Sequence, residues 1–470
     1  MNNKIIKITA VLGSTLALAS CSGFLDEDLK GSYTSKNLYT TESKALATVN
    51  GVYNSLYGNT QWIFGDVASD DAVKGGNAGD QAEIDRIDDF TANADNGVIS
   101  TYWQNTYETI ARANNAIAEI GAMTFKDETL RNRYVAEAKL LRAYSYFNLV
   151  NIFGKVPLKT EPQNSVSGIY VGLSEIDRIY SKIDEDLSEA AAALPKVYPT
   201  EAGRVTSGTA YGLLAKSKLF QKKYNEALAA IQSLQELGIY SLESNYADLF
   251  KAGAEDSKES IFAIRYVNNT SVSLGNNLNV WFSPAAEGGY YFNAPTQDYV
   301  NCFDDANDIR LDASIGREGK PWFNEKTFSQ TWSEATGYLV KKYNEDMSEG
   351  FAKSQSVVPQ HILRYADIIL MKAEALNETG KTSEALEELK AIRLRAGISP
   401  VPASNQDAAR ELIRQERRRE LGFEFHRFFD VVRYGKEYAV SALGENFKWE
   451  SDRYYFPIPQ AEIETNTEIK

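Results

Sequence analysis

The sequence predicts a mainly α protein, a tetratricopeptide-repeat-like helical scaffold that carries a loop-rich insertion with short strands. Three observations predict it. Apolar residues recur at helical spacing over most of the chain. Two separate segments read as copies of one helical hairpin. Between them, residues 241–360 lose the helical period and become rich in Gly, Asn, Ser and aromatics, with runs such as Ile261–Val267 (IFAIRYV) that read as strands.

Taken in order, the chain opens with an address. Lys4 and Lys7 precede an apolar stretch, Ile8–Ala19, too short to span a bilayer, so residues 1–20 are expected to be a secretory signal. Leu18-Ala19-Ser20-Cys21 resembles a bacterial lipobox, which makes Cys21 the expected lipidation site and the protein a tethered one. Asp26-Glu27-Asp28 then reads either as a surface-export signal or as a solvated linker. Residues 21–240 are expected to form an N-terminal helical region, 241–360 the insertion and 361–470 a C-terminal helical region.

Residues 41–57 and 102–120 each predict one helix, the second stopped by Gly121. Gly58–Gly79 interrupts them as an irregular stretch. Leu130–Phe153 is apolar on nearly every face after Leu140, which places its second half in the middle of the core; Gly154 and Pro157 end it. Ser174 and Asp177 supply a capping signal for a helix closed by Pro195. The first hairpin copy runs from Ala210 through Asn225-Glu226-Ala227-Leu228 to Gly238, and the second from Ala366 through Ser383-Glu384-Ala385-Leu386 to Gly397. Small Ala at close contacts in a unit of roughly 34 residues is the tetratricopeptide pattern.

Composition narrows the chemistry. Fifty Lys+Arg against 64 Asp+Glu give a formal charge of -14, which repels a phosphate backbone, so nucleic acid is not an expected partner. With two Cys and two His in 470 residues, no cofactor and no zinc, iron-sulfur or haem site is expected. Gly380-Lys381-Thr382 resembles the end of a P-loop but sits after a helix, and reads as a helix stop. No GxSxG or HExxH motif occurs. Between Arg410 and Arg433 basic and acidic residues alternate, with Glu411–Arg414 and Glu416–Arg419 three apart, the spacing of a helical ion-pair network that locks this segment to the scaffold. His426 reads as an ion-paired structural histidine and Trp103 as packing.

What remains is a binding surface, and a ligand with apolar C–H faces and rings of hydroxyls would need aromatic platforms and planar polar groups as contacts. Trp62, Trp281, Tyr290, Tyr291, Trp322 and Trp332 lie in the two irregular stretches, away from helical periodicity. The ligand site is expected where the Gly58–Gly79 loop meets Trp281–Tyr291, with Asp70, Asp71 and Lys74 as hydroxyl partners. Arg364 either reaches a hydroxyl pair from below or forms an ion pair within the scaffold.

Six segments carry a family resemblance: FLDEDLKG after Cys21, TYWQNTYETIARANNAI at 101–117, AEAKLLRAYSYFNLVNIFGKVPL at 136–158, ILRYADIILMKAEALNETG at 362–380, IRQERRRELGFEFHRFFDVVRYG at 413–435 and FPIPQAEI at 456–463. Together they resemble the SusD/RagB family of surface nutrient-binding lipoproteins of the Bacteroidetes. The resemblance implies a right-handed superhelix that closes as a lid over a SusC-like, TonB-dependent outer-membrane transporter. It implies a non-enzymatic binder that faces the cell exterior and delivers an oligosaccharide. A peptide ligand, as in the RagB branch, a surface glycoside hydrolase and a pure repeat scaffold are the alternatives.

Overall fold

The computed structural model describes residues 42–469 apart from 57–59, 164–168, 270, 272–273, 324, 346–354, 445–446, 448 and 450–453. Cys21, the Asp26–Asp28 stretch and Gly58 lie outside the described residues.

Helices pack on their sequence neighbours in an antiparallel series. Gly97–Gly121 lies on Glu128–Phe153, which lies on Ile176–Ala193, then Ser207–Phe220 and Tyr224–Glu236. Their starts follow from capping. The Asn96 side chain accepts from the Val98 and Ile99 N–H groups, and Asp127 accepts from Thr129 and Leu130. One expected cap differs: Ser174 pairs with Val156 in a two-stranded ladder, and the helix instead begins after Glu175 without a side-chain cap.

The Glu128–Phe153 helix is the centre of the core. Leu140, Leu141, Tyr146, Leu149 and Val150 are buried, as the all-round apolar pattern requires. Its buried polar groups are answered. Arg142 donates both ends of its fork to Asp186, at 2.8 Å each, and Glu137 accepts from Arg204 and Tyr53. Phe456 N donates to the Ile152 carbonyl at 2.9 Å, so the FPIP segment closes over the end of this helix.

Residues 237–364 do not separate the two hairpin copies in space. Tyr365–Glu378 packs directly on Tyr224–Glu236, then continues the stack through Thr382–Arg395 and Gln406–Leu421. The insertion is looped out, and it leaves and re-enters at one neck, where Ser260–Ile264 pairs antiparallel with Gln360–Arg364.

A buried charge network binds that neck to the C-terminal helices. Arg364, only 1% exposed, donates to Glu424 at 2.6 and 2.9 Å, to Glu259 at 2.6 Å and to Glu420 at 2.8 Å. Arg310 reaches Glu416 at 2.6 Å and Glu420 at 3.2 Å, and Lys342 reaches Glu424 at 2.7 Å. Burial opposes ionisation of Glu424, but the charges of Arg364 and Lys342 outweigh it and hold its carboxyl at about 2. The expected lock therefore exists with different partners. The local pairs Arg414–Glu411 and Arg419–Glu416 are long, 3.8 and 3.7 Å, and although Arg433–Asp430 is a short local pair at 2.8 Å, most of the short contacts reach across the chain. His426 is not an imidazolium in an ion pair: burial and the charge of Lys216, 3.3 Å from its Nδ1, depress it to about 3.

Candidate functional site

The two irregular stretches do meet. Gly58–Gly79 is more ordered than a loop: Ile63–Val67 forms a buried π-helical turn, and Ala72–Gly75 is a strand. That strand pairs antiparallel with Phe292–Pro295 of the insertion, Ala72 opposite Pro295 and Gly75 opposite Phe292. Gly75 and Gly76 both have positive φ, and a Cβ on Gly75 would lie 2.4 Å from the Tyr291 carbonyl oxygen. Only glycine fits that crossing.

A tight excursion in the insertion carries the aromatic side of the junction. Residues 278–291 leave through a short helix, Leu278–Phe282, turn, and fold back: Tyr290 N donates to the Val280 carbonyl at 2.8 Å and Tyr291 N to that of Ser283 at 3.0 Å. This return sets the Tyr290 ring edge-on against Trp281, with centroids 5.5 Å apart, and leaves Tyr290 48% exposed. Trp281 is half-buried, supported from below by Trp62 at 5.8 Å and Phe292 at 5.2 Å. The pair is thus an aromatic platform on a packed base.

The remaining expected contacts have other duties. Trp62, 2% exposed, is core, with Phe282 packed edge-on at 5.4 Å. Asp70 and Asp71 face inward to the C-terminal arginines: Arg427 donates to Asp70 at 2.6 and 2.7 Å and Arg418 to Asp71 at 2.6 Å. Burial opposes ionisation of Asp70, but Arg427 and Arg418 outweigh it and lower its pKa. Lys74 is buried between the Asp80 carbonyl and the Asp85 carboxylate, at 2.7 and 2.9 Å. Arg364 takes the scaffold alternative, enclosed by its three carboxylates. Trp322 is buried in a satellite cluster with Tyr291, Phe328 and Leu339, with Trp332 half-buried against it. These six, Trp62, Asp70, Asp71, Lys74, Trp322 and Arg364, are therefore structural in this fold. Burial removes five of them from a ligand's reach, and the Asp70 carboxylate, half-buried as a residue, is taken up by Arg427 and Arg418.

Tyr291 is buried in its ring, but its hydroxyl donates to Asn77 Oδ1 at 2.5 Å, and Asn77 in turn donates to Asp80 at 3.0 Å. Asn77 and Asp80 are exposed, and the first belongs to a Gly-Gly-Asn-Ala-Gly run that reads as a featureless flexible loop. Glu287 is a second residue the sequence pattern did not single out. It accepts from Trp322 Nε1 at 3.2 Å and pairs with Lys326 at 2.7 Å, which ties the satellite cluster to the Tyr290 turn. The candidate site is accordingly Trp281 and Tyr290 as platform, with Asn77 and Asp80, joined to the same return through the Tyr291 hydroxyl, as candidate hydroxyl partners.

Known proteins match over nearly the whole chain. Residues 258–470 match a family model described as the SusD family, and residues 23–219 match one described as starch-binding associating with outer membrane. A SusD-like protein of Formosa agariphila is 28% identical over 98% of both chains. Among solved structures, a laminarin-binding SusD-like protein superposes with a TM-score of 0.79 at 28% identity, over 91% of this chain and 98% of that one. Surface glycan-binding protein A from Bacteroides fluxus gives 0.78 at 27% identity, over 92% and 98%.

Proposed function

Because the chain belongs to the SusD-like family, a family of outer-membrane-associated carbohydrate-binding proteins, we propose that it captures an oligosaccharide at the cell surface and passes it to a SusC-like, TonB-dependent transporter. It does so without turnover, held at the outer membrane by lipid on Cys21 and facing the cell exterior.

The observation that carries the glycan reading is the Trp281–Tyr290 platform. A large aromatic left 48% exposed, yet fixed by backbone hydrogen bonds and a packed base, binds a sugar face with little loss of side-chain freedom. Asn77 and Asp80 supply an amide and a carboxylate that suit vicinal hydroxyls. A relative of 28% identity binds laminarin, so neutral gluco-oligosaccharides are the first ligands to try.

Titration calorimetry of the purified protein against such oligosaccharides and against a peptide pool tests the reading. Tyr290→Ala is expected to weaken glycan binding about tenfold or more, equivalent to about 1.4 kcal/mol, while the melting temperature stays put. Peptide binding without glycan binding, release of reducing ends from the glycan, or undiminished affinity in Tyr290→Ala and Trp281→Ala would each overturn it.

A further inference from the structure

We propose a second ligand site, selective for saccharides that carry a carboxylate or a sulfate ester, in the groove between the C-terminal helices. The groove encloses about 840 Å³, within the range of small-ligand pockets, and shares no residue with the Trp281–Tyr290 platform. It opens where Ser207–Phe220 and Tyr365–Glu378 end against Gln406–Leu421, Arg427–Tyr434 and Lys436–Leu443.

Five basic and three acidic side chains line it, in a chain of formal charge -14. Two of the bases are already neutralised. Arg433 pairs with Glu374 and Asp430, and Arg410 with Glu378 and Asp407, which also occupies two of the three lining acids. Lys222, Arg414 and Lys436 remain, opposed by the exposed Glu437. Among the described residues neither lysine forms an ion pair.

Arg414 is the exception in its segment. Arg417, Arg418, Arg419, Arg427 and Arg433 each donate hydrogen bonds to carboxylates or a carbonyl, as does Arg410. Arg414 makes one ion pair, with Glu411 at 3.8 Å, beyond hydrogen-bond length, and no hydrogen bond among the described residues. Its guanidinium is instead stacked on Tyr434 and Tyr438, 4.4 and 4.8 Å from the ring centroids. Two rings hold the plane still and leave the donor edge unspent, which is the preorganised state in which a guanidinium recognises a planar or tetrahedral oxyanion.

Lys222 adds an independent sign. It sits in the turn after Ser207–Phe220 with φ +58°, where glycine or asparagine would be relaxed. Lys222 is exposed and lines the groove, so the uncommon backbone conformation is retained at a position that a ligand there can reach.

The test is titration calorimetry on the full chain in detergent with three probes: an oligogalacturonate, a sulfated galacto-oligosaccharide and neutral laminarihexaose. At least one anionic probe should bind, more weakly at high salt, and lose about tenfold or more in Arg414→Gln and several-fold in Lys222→Gly. Which probe responds distinguishes carboxylate from sulfate. Lys222→Gly should melt at the same or a higher temperature, which separates loss of the site from loss of the fold. Tyr290→Ala should leave the anionic probe unaffected. Silence of both anionic probes, unchanged affinity in both groove variants, or loss of anionic binding in Tyr290→Ala would overturn the proposal; failure of laminarihexaose to bind bears only on the first site.

Discussion

Replacing Arg364 by methionine keeps most of the side-chain volume and removes the cation at the neck of the insertion. Three carboxylates, Glu259, Glu420 and Glu424, then lose a partner within 2.8 Å in a region without water contact. Removing one member of a buried pair costs about 3 to 5 kcal/mol. Glu424 gives a second measure. It is held at about 2 against an ordinary 4.5, and at about 1.36 kcal/mol per tenfold change in proton affinity this corresponds to about 3 kcal/mol. Lys342 stays 2.7 Å from Glu424, and Arg395 and Arg310 stay with Glu420, so the lower value, about 3 kcal/mol, is expected at pH 7. The sign with pH follows from the depressed carboxyl. Its contribution is present above about 4.5 and is lost as pH falls through about 2, so the gap between wild type and variant is full at neutral pH and narrows in acid. By about pH 3 it should have closed by about 2 kcal/mol. Urea unfolding followed by circular dichroism, extrapolated linearly at each pH, measures both quantities. A gap below about 1 kcal/mol at pH 7, or one that does not change between pH 7 and pH 3, would refute the account of the network.

Three further outcomes are expected. His361 donates from Nε2 to the Leu249 carbonyl and is depressed by burial to about 4, so its contribution is present above the unfolded value near 6.5 and lost as pH falls through 4. Between pH 6.5 and 4.5 the stability of His361→Gln should fall by about 2 kcal/mol less than that of wild type, and parallel curves would argue against a neutral buried imidazole. Gly75→Ala should cost more than about 1 kcal/mol and weaken glycan binding, because its Cβ meets the Tyr291 carbonyl and displaces the return that presents Tyr290; calorimetry on the folded variant reads both, and intact affinity would detach the crossing from the site. Leu141→Ala should lose about 2 to 5 kcal/mol, whereas Phe147→Ala, half-buried against Phe220, should lose less; equal melting temperatures would remove this helix from the centre of the core.

Local periodicity and capping located the helices because both signals sit within a few residues of the element they define. Glu128–Phe153 begins within two residues of its expected start, with Asp127 as a recognisable cap. Exposure of the candidate residues was legible only where it is also set locally, as in the short excursion that leaves Tyr290 at the surface. Trp62 has the sequence surroundings of a loop aromatic, yet its environment is made by Trp281, Phe282 and Phe292, more than two hundred positions away. Asp70 and Asp71 look like free acids for the same reason: their partners, Arg418 and Arg427, belong to the last quarter of the chain. The arginine-rich segment misleads in the opposite direction. Its i, i+3 pairs exist, and one of them, Arg433–Asp430 at 2.8 Å, is short and buried, but most of the short, buried contacts are with distant carboxylates, which no helical spacing reveals.

The direct seating of Tyr365–Glu378 on Tyr224–Glu236 has a kinetic side. Most repeat stacks grow by short turns, each new unit landing on the last as it emerges. Here the chain must close a loop on the order of 130 residues before the stack can continue, an entropic cost about 3 kcal/mol greater than that of a four-residue turn. Docking of the second half should therefore be the slow, late event in folding, waiting on the strand pair and the arginine-centred neck to clasp. The same geometry makes the insertion a cassette. Because its two ends emerge side by side, its contents can be lengthened, shortened or exchanged without shifting the register of any helix beneath, and ligand preference can diverge while the superhelix is left alone.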